Sequence, residues 1–98
     1  MAYLETDGPV EEIETLVGEV PGAVRGTNDV GFVTIAVADT SVTIARNEVD
    51  KCTDLVVYDF EDRAGFAKQI FDLISRRTPY RVTLFDENSG AVIAHHAP

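Results

Sequence analysis

The chain has 98 residues, 45% of them hydrophobic and 26% charged, a globular balance too short for two domains with separate cores. Seventeen Asp and Glu against eight Lys and Arg leave a net charge of -9, which sets the average surface against a phosphate backbone and excludes direct nucleic-acid binding from the expected functions. No stretch approaches the about 20 consecutive apolar residues of a membrane-spanning helix, and the longest apolar-rich run, Phe32 to Ala38, is interrupted by Thr34.

The segment MAYLETDGPVEEIE carries acids where an export signal carries Lys or Arg before an apolar run. The lone cysteine, Cys52, allows no internal disulfide and no Cys-based zinc site within one chain. The expectation is a single acidic α+β domain over 1–98, cytoplasmic, with no cofactor and no metal. Only Lys51 and Lys68 are lysines, so the acidity has three readings: Arg-biased coding, adaptation to high salt, or an acidic face made for a basic partner.

Asp7-Gly8-Pro9 opens the first periodic segment, with Asp7 or Gly8 placed to cap orphan N–H groups and Pro9 suited to the first turn. Val10, Ile13, Leu16, Val17 and Val20 recur at helical spacing, and Glu11, Glu12, Glu14 and Glu19 occupy the remaining positions. Pro21-Gly22 ends this helix. Its first-turn acids also suit the positive end of the helix dipole.

Beyond the turn-rich GTNDVG, the run FVTIAVA alternates Val33, Ile35 and Val37 against Thr34, Ala36 and Ala38, and SVTIAR repeats the pattern. A two-residue turn at Asp39-Thr40 would make a hairpin pairing Val37 with Val42 and Ile35 with Ile44. Thr resists the positive φ of such a turn, so a slightly longer connection is also open. The polar NEVDKCTD then leads into LVVYDF, which is apolar on both faces and reads as a central strand.

Asp59, with Asp62 three residues on, forms a variant capping box for a second helix ending near Arg77. Ala67, Ile70, Phe71 and Ile74 make its buried stripe, widened by Phe66 and Leu73, and Arg76-Arg77 meet the negative end of the dipole before Thr78-Pro79 stops it. The last section, YRVTLFDENSGAVIAHH, is a second hairpin about Asn88-Ser89-Gly90. A loop from Glu87 to Gly90 sets Leu84 opposite Ile93, Val82 opposite His95 and Arg81 opposite His96.

The expected order is α-β-β-β-α-β-β: a mainly antiparallel five-stranded sheet with two helices packed on one face. Thr34, Ala36, Thr43 and Ala45 would lie on the other face, solvated or at an interface.

Little in the chain carries chemistry. Adjacent His95 and His96 point to opposite faces of a strand and lack further ligands at metal-binding spacing. Cys52 has no helix N-terminus or glycine-rich oxyanion motif beside it, so nothing local lowers its thiol pKa. Asp59, Glu61 and Asp62 are explained as helix-start residues. GTNDVG lacks the Lys-Ser/Thr of a phosphate loop. Arg76, Arg77 and Arg81 form the only dense basic group, suited to pairing with acids or to a small anion. Exposed sheet edges allow homodimerisation, with the terminal hairpin a candidate.

The function expected from these features is that of a non-catalytic acidic interaction module, such as a small inhibitor, immunity or regulatory adaptor-like protein. It would bind a more basic protein partner through Glu11, Glu12, Glu14 and Glu19. One alternative is a small enzyme or ligand-binding domain with a site formed at a dimer interface, drawing on His95, Arg81 or Cys52. Another is a DNA mimic, which needs carboxylates spaced along one face.

Overall fold

In the computed structural model, which describes residues 2–60 and 64–98, the chain forms seven strands and two helices. Strand β1 is Ala2–Thr6, helix α1 Val10–Gly18, β2 Val24–Thr27, β3 Val33–Val37, β4 Thr40–Asn47, β5 Cys52–Tyr58, α2 Phe66–Arg77, β6 Val82–Asp86 and β7 Val92–His96. They make one sheet of order β2-β3-β4-β5-β1-β6-β7 in which every pairing is antiparallel.

The sheet therefore has seven strands rather than five, the additions being β1 and β2. Ala2–Thr6 carries one large aliphatic side chain and an acid, too little local pattern to mark a strand. It forms because Leu4 lies between Leu55 of β5 and Leu84 of β6 and is completely buried there. β2 has no buried residue at all; only its backbone register with β3 makes it a strand.

β5 is central, as its two-sided apolar run implies. It begins earlier than expected: Cys52, Thr53 and Asp54 belong to the strand, paired with β4 and β1, and are not connection.

The inward face of the sheet contributes Leu4, Ile35, Val42, Ile44, Leu55, Val57, Val82 and Leu84 to one core. It is closed by Ile13, Leu16 and Val17 of α1 and by Phe66, Ala67, Ile70, Phe71 and Ile74 of α2. Both helices thus cover the same face, the two-layer solution for an antiparallel sheet. Neither helix is long and apolar enough to cross a membrane.

The helix starts differ from the sequence expectation. Pro9, extended, is the cap residue of α1, and Asp7 instead accepts the Arg81 backbone N–H at 2.8 Å, tying the loop before the helix to β6. Asp59 does cap the entry to α2, but from a distance: its carboxylate accepts the Ala64 and Phe66 N–H groups, and the helix begins only at Phe66, after Gly65 in the left-handed region. Glu61 and Asp62, the rest of the expected acidic helix start, lie outside the described residues.

Both hairpins shift in register. Ile35 pairs with Val42 and Val33 with Ile44, two residues from the expected pairing, because the turn falls at Ala38-Asp39. Ala38 takes a φ of 52°, and the Thr40 hydroxyl donates to the Val37 carbonyl at 2.7 Å. A two-residue shift keeps every side chain on its face.

In the second hairpin an irregularity between Leu84 and Phe85 moves the pairing by one residue, so Leu84 faces Ala94, Val82 faces His96 and Thr83 faces His95. The histidines consequently exchange faces: His96, not His95, lies beside Val82.

Candidate functional site

The register builds a continuous outer face, uncovered by either helix. Across six strands run Thr34, Thr43, Val56, Tyr3, Phe85 and Val92, each directly opposite its neighbour. The next row holds Ala45, Asp54, Glu5, Thr83 and His95. On the other side of the first row lie Val24, Ala36, Ser41 and Tyr58. Val24, Tyr58 and Val92 are among the exposed large apolar residues of the chain.

No lysine or arginine stands on this face among the described strand residues. Arg25 has the inward parity of Ile35, its register partner, and reaches Glu14 of α1 at 2.9 Å. Lys68, Arg76 and Arg77 belong to α2, on the helical layer. Among the described residues the face is thus aromatic and aliphatic along its centre, acidic beside it and without Lys or Arg at its outward strand positions.

Its most organised part surrounds Tyr3. Its hydroxyl donates to Glu5 Oε1 at 2.5 Å and lies 3.2 Å from Asp54 Oδ1. Asn47 Nδ2 donates to the other Asp54 oxygen at 3.1 Å, and the Cys52 thiol donates to Asp54 Oδ1 at 3.5 Å. The ring of Tyr3 packs against Phe85 with centroids 5.2 Å apart.

Burial and then the bond to Glu5 hold the Tyr3 phenol well above its ordinary pKa, while burial and then Asp54 push the Cys52 thiol up to about 11. A thiol so protonated is a poor nucleophile at neutral pH. His95 stands three strands from β5, about 14 Å by strand spacing, so no Cys52–His95 pair can form within one chain.

Glu5, Cys52 and Asp54 place their ligand atoms within 4.8 Å of one another, the one such grouping of potential metal ligands among the described residues. Neither histidine belongs to it. His95 Nδ1 is 2.8 Å from the Thr83 hydroxyl.

Beside this cluster, Ala2, Tyr3, Glu5, Val56, Phe85, Asp86, Glu87 and Gly90 line an open depression of about 480 Å³. It is concave, amphipathic and acidic, and no feature of the sequence marked it. The signal lay in the alternation of AYLET, whose outward residues are Tyr3 and Glu5, but it becomes meaningful only once β1 is placed between β5 and β6.

The four helix glutamates singled out from sequence do not present one free surface. Glu14 is buried and paired with Arg25, Glu12 accepts the Tyr80 hydroxyl at 2.6 Å, and Glu19 pairs with Arg77 at 3.2 Å. Among the described residues, Glu11 alone of the four has no such side-chain partner.

The basic group is likewise divided. Arg76 and Arg77 line a groove between α1 and α2 with Lys68, whose ammonium pairs with Asp72 at 3.1 Å. The Arg81 backbone is held by Asp7 and Thr6. No protein-family model matches the chain, and no curated protein and no solved structure is significantly similar to it.

Proposed function

We propose that the chain is a non-catalytic acidic interaction module that binds a more basic protein partner through the uncovered face of its sheet. The carrying observation is the row Val56, Tyr3, Phe85 and Val92 left without a covering layer, bordered by Asp54 and Glu5 and lacking any lysine or arginine. Apolar area supplies the burial that a stable contact needs. The carboxylates and the net charge of -9 favour a cationic partner and repel acidic ones. The protonated, buried Cys52 and the separation of His95 from it weigh against a catalytic reading. Glu11, which alone of the four helix glutamates lacks a side-chain partner among the described residues, marks the alternative contact point on α1.

The test is a pull-down from nuclease-treated native lysate at low and moderate salt, run in parallel with Val56→Arg and with Glu11→Lys. The expected result is a basic protein retained by the parent and by Glu11→Lys, lost on Val56→Arg and weakened as salt rises. Retention unchanged by Val56→Arg but abolished by Glu11→Lys would return the contact to α1, and retention insensitive to both would sink the surface assignment.

Homodimerisation through a sheet edge is a second reading, favoured by β7. This edge strand exposes Val92 and Ile93, and the stretch 91–98 contains neither acid nor Lys or Arg, so two copies could meet there without charge repulsion. Sedimentation across a concentration series tests it: a strictly monomeric protein removes it.

A further inference from the structure

We infer that the depression beside Tyr3 is a receptor for an arginine side chain presented by the basic partner, a deduction that rests on the sheet-face reading above. Its apolar lining is Val56 and the rings of Tyr3 and Phe85, whose centroids lie 5.2 Å apart with their planes inclined by 31°. Glu5, Asp86 and Glu87 supply carboxylates to its wall, and no Lys or Arg side chain is among the described residues that line it. The fold positions Glu5, which receives the Tyr3 hydroxyl, and Asp86, which accepts the Asn88 N–H at 2.9 Å in the turn.

Occupant chemistry follows from this combination. A planar, weakly hydrated guanidinium can stack on an aromatic face while its edge donates to carboxylates in the plane, whereas an ammonium is a compact, strongly hydrated charge that gains less on an open surface. The depression is open to solvent and near the lower end of ligand-site volumes, which suits one side chain carried by a larger partner better than an enclosed small molecule. Its position on the bare face beside the turn between β6 and β7 leaves the flanking rows to contact the partner's neighbouring residues.

The probe is an acetylated Gly-Arg-Gly-Arg-Gly amide, titrated at low salt into the isotopically labelled chain and followed by amide and aromatic NMR shifts. Parallel titrations use its lysine and citrulline counterparts. The expected result is saturable shifts centred on the Tyr3 and Phe85 rings, with the lysine peptide about threefold weaker and the citrulline peptide at least about tenfold weaker. Phe85→Leu and Glu5→Gln each weaken the arginine peptide about three- to fivefold. The three peptides on the unaltered protein provide a comparison that does not depend on any variant folding.

Equal affinity for lysine and arginine, or shifts on the sheet face that avoid Tyr3 and Phe85, would overturn the arginine site and leave the sheet-face reading intact. Absence of sheet-face shifts with every cationic peptide would overturn both. Self-association of the protein alone that is abolished by Phe85→Leu would assign the depression to a second copy and also overturn the inference.

Discussion

Glu5 and Asp54 stand directly opposite one another on β1 and β5, and the Tyr3 hydroxyl, 2.5 Å from one and 3.2 Å from the other, faces both carboxylates. Like charges across a strand pair are destabilising, so this shared donor has an energetic role beyond an ordinary hydrogen bond. Tyr3→Phe is expected to cost about 1–2 kcal/mol. Glu5→Gln should offset part of that loss, giving a coupling of about 1 kcal/mol in a double-mutant cycle measured by urea unfolding. Strict additivity of the two substitutions would show that the hydroxyl does not bridge the pair.

Cys52 and Tyr3 make stability fall in alkaline solution. In the folded chain the thiol titrates at about 11 against an ordinary 9.0, so between those values the unfolded state has released a proton that the folded state keeps. Stability from this group is complete below about pH 9 and is lost as pH rises through 11, and Tyr3, shifted in the same direction, extends the loss upward. Urea midpoints at pH 7, 9 and 11 should decline, less steeply in Cys52→Ala. Alkylation of native Cys52 should be slow at neutral pH compared with the unfolded chain, and equal rates would refute the protected thiol.

Arg25 ties the exposed edge strand β2 to α1 through the buried carboxylate of Glu14 at 2.9 Å. Arg25→Ala leaves that carboxylate without its cation and should cost about 1–2 kcal/mol, concentrated at one edge of the sheet. Hydrogen exchange is the local readout: the amides of Val24–Thr27 should lose protection while those of β1 and β5 keep theirs. Uniform loss across the sheet would show that β2 is not held independently by this pair.

Gly8 is closely surrounded, and a methyl group there would meet Tyr80 Cδ2 at 2.7 Å and Ile13 Cδ1 at 2.9 Å. Its carbonyl accepts the Thr53 hydroxyl at 2.6 Å and its N–H donates to Thr6 Oγ1 at 3.2 Å, so the backbone is held while both neighbours press on it. Gly8→Ala should therefore destabilise by about 1–3 kcal/mol, partly recovered when Ile13→Val removes the obstructing methyl. A thermal midpoint unchanged from the parent would mean that Tyr80 and Ile13 move aside freely.

Periodicity made much of the fold legible. The stripe Ala67, Ile70, Phe71 and Ile74 of α2 lies against the core, and the two-sided run Leu55–Tyr58 lies in the central strand. Local pattern was insufficient where one strand depended on others. Leu4 marks a strand only because Leu55 and Leu84 flank it, and Ile93 is 60% exposed because the irregularity at Leu84/Phe85 displaces it from the expected pairing. For the same reason, Glu12 and Glu19 read as free helix-face acids although Tyr80 and Arg77, far along the chain, contact them.

By itself, the sequence determined the net charge of -9, both helices, both hairpins and the central strand, because charge is additive and these elements are written in contacts between near neighbours. Tertiary structure alone decided that β1 enters between β5 and β6, that one face of the sheet stays bare, and that Tyr3, Glu5, Cys52 and Asp54 meet there. Tyr3 and Asp54 are 51 positions apart, and no local periodicity carries a pairing over that distance; burial of Leu4 sets the register, and the outward side chains follow from it.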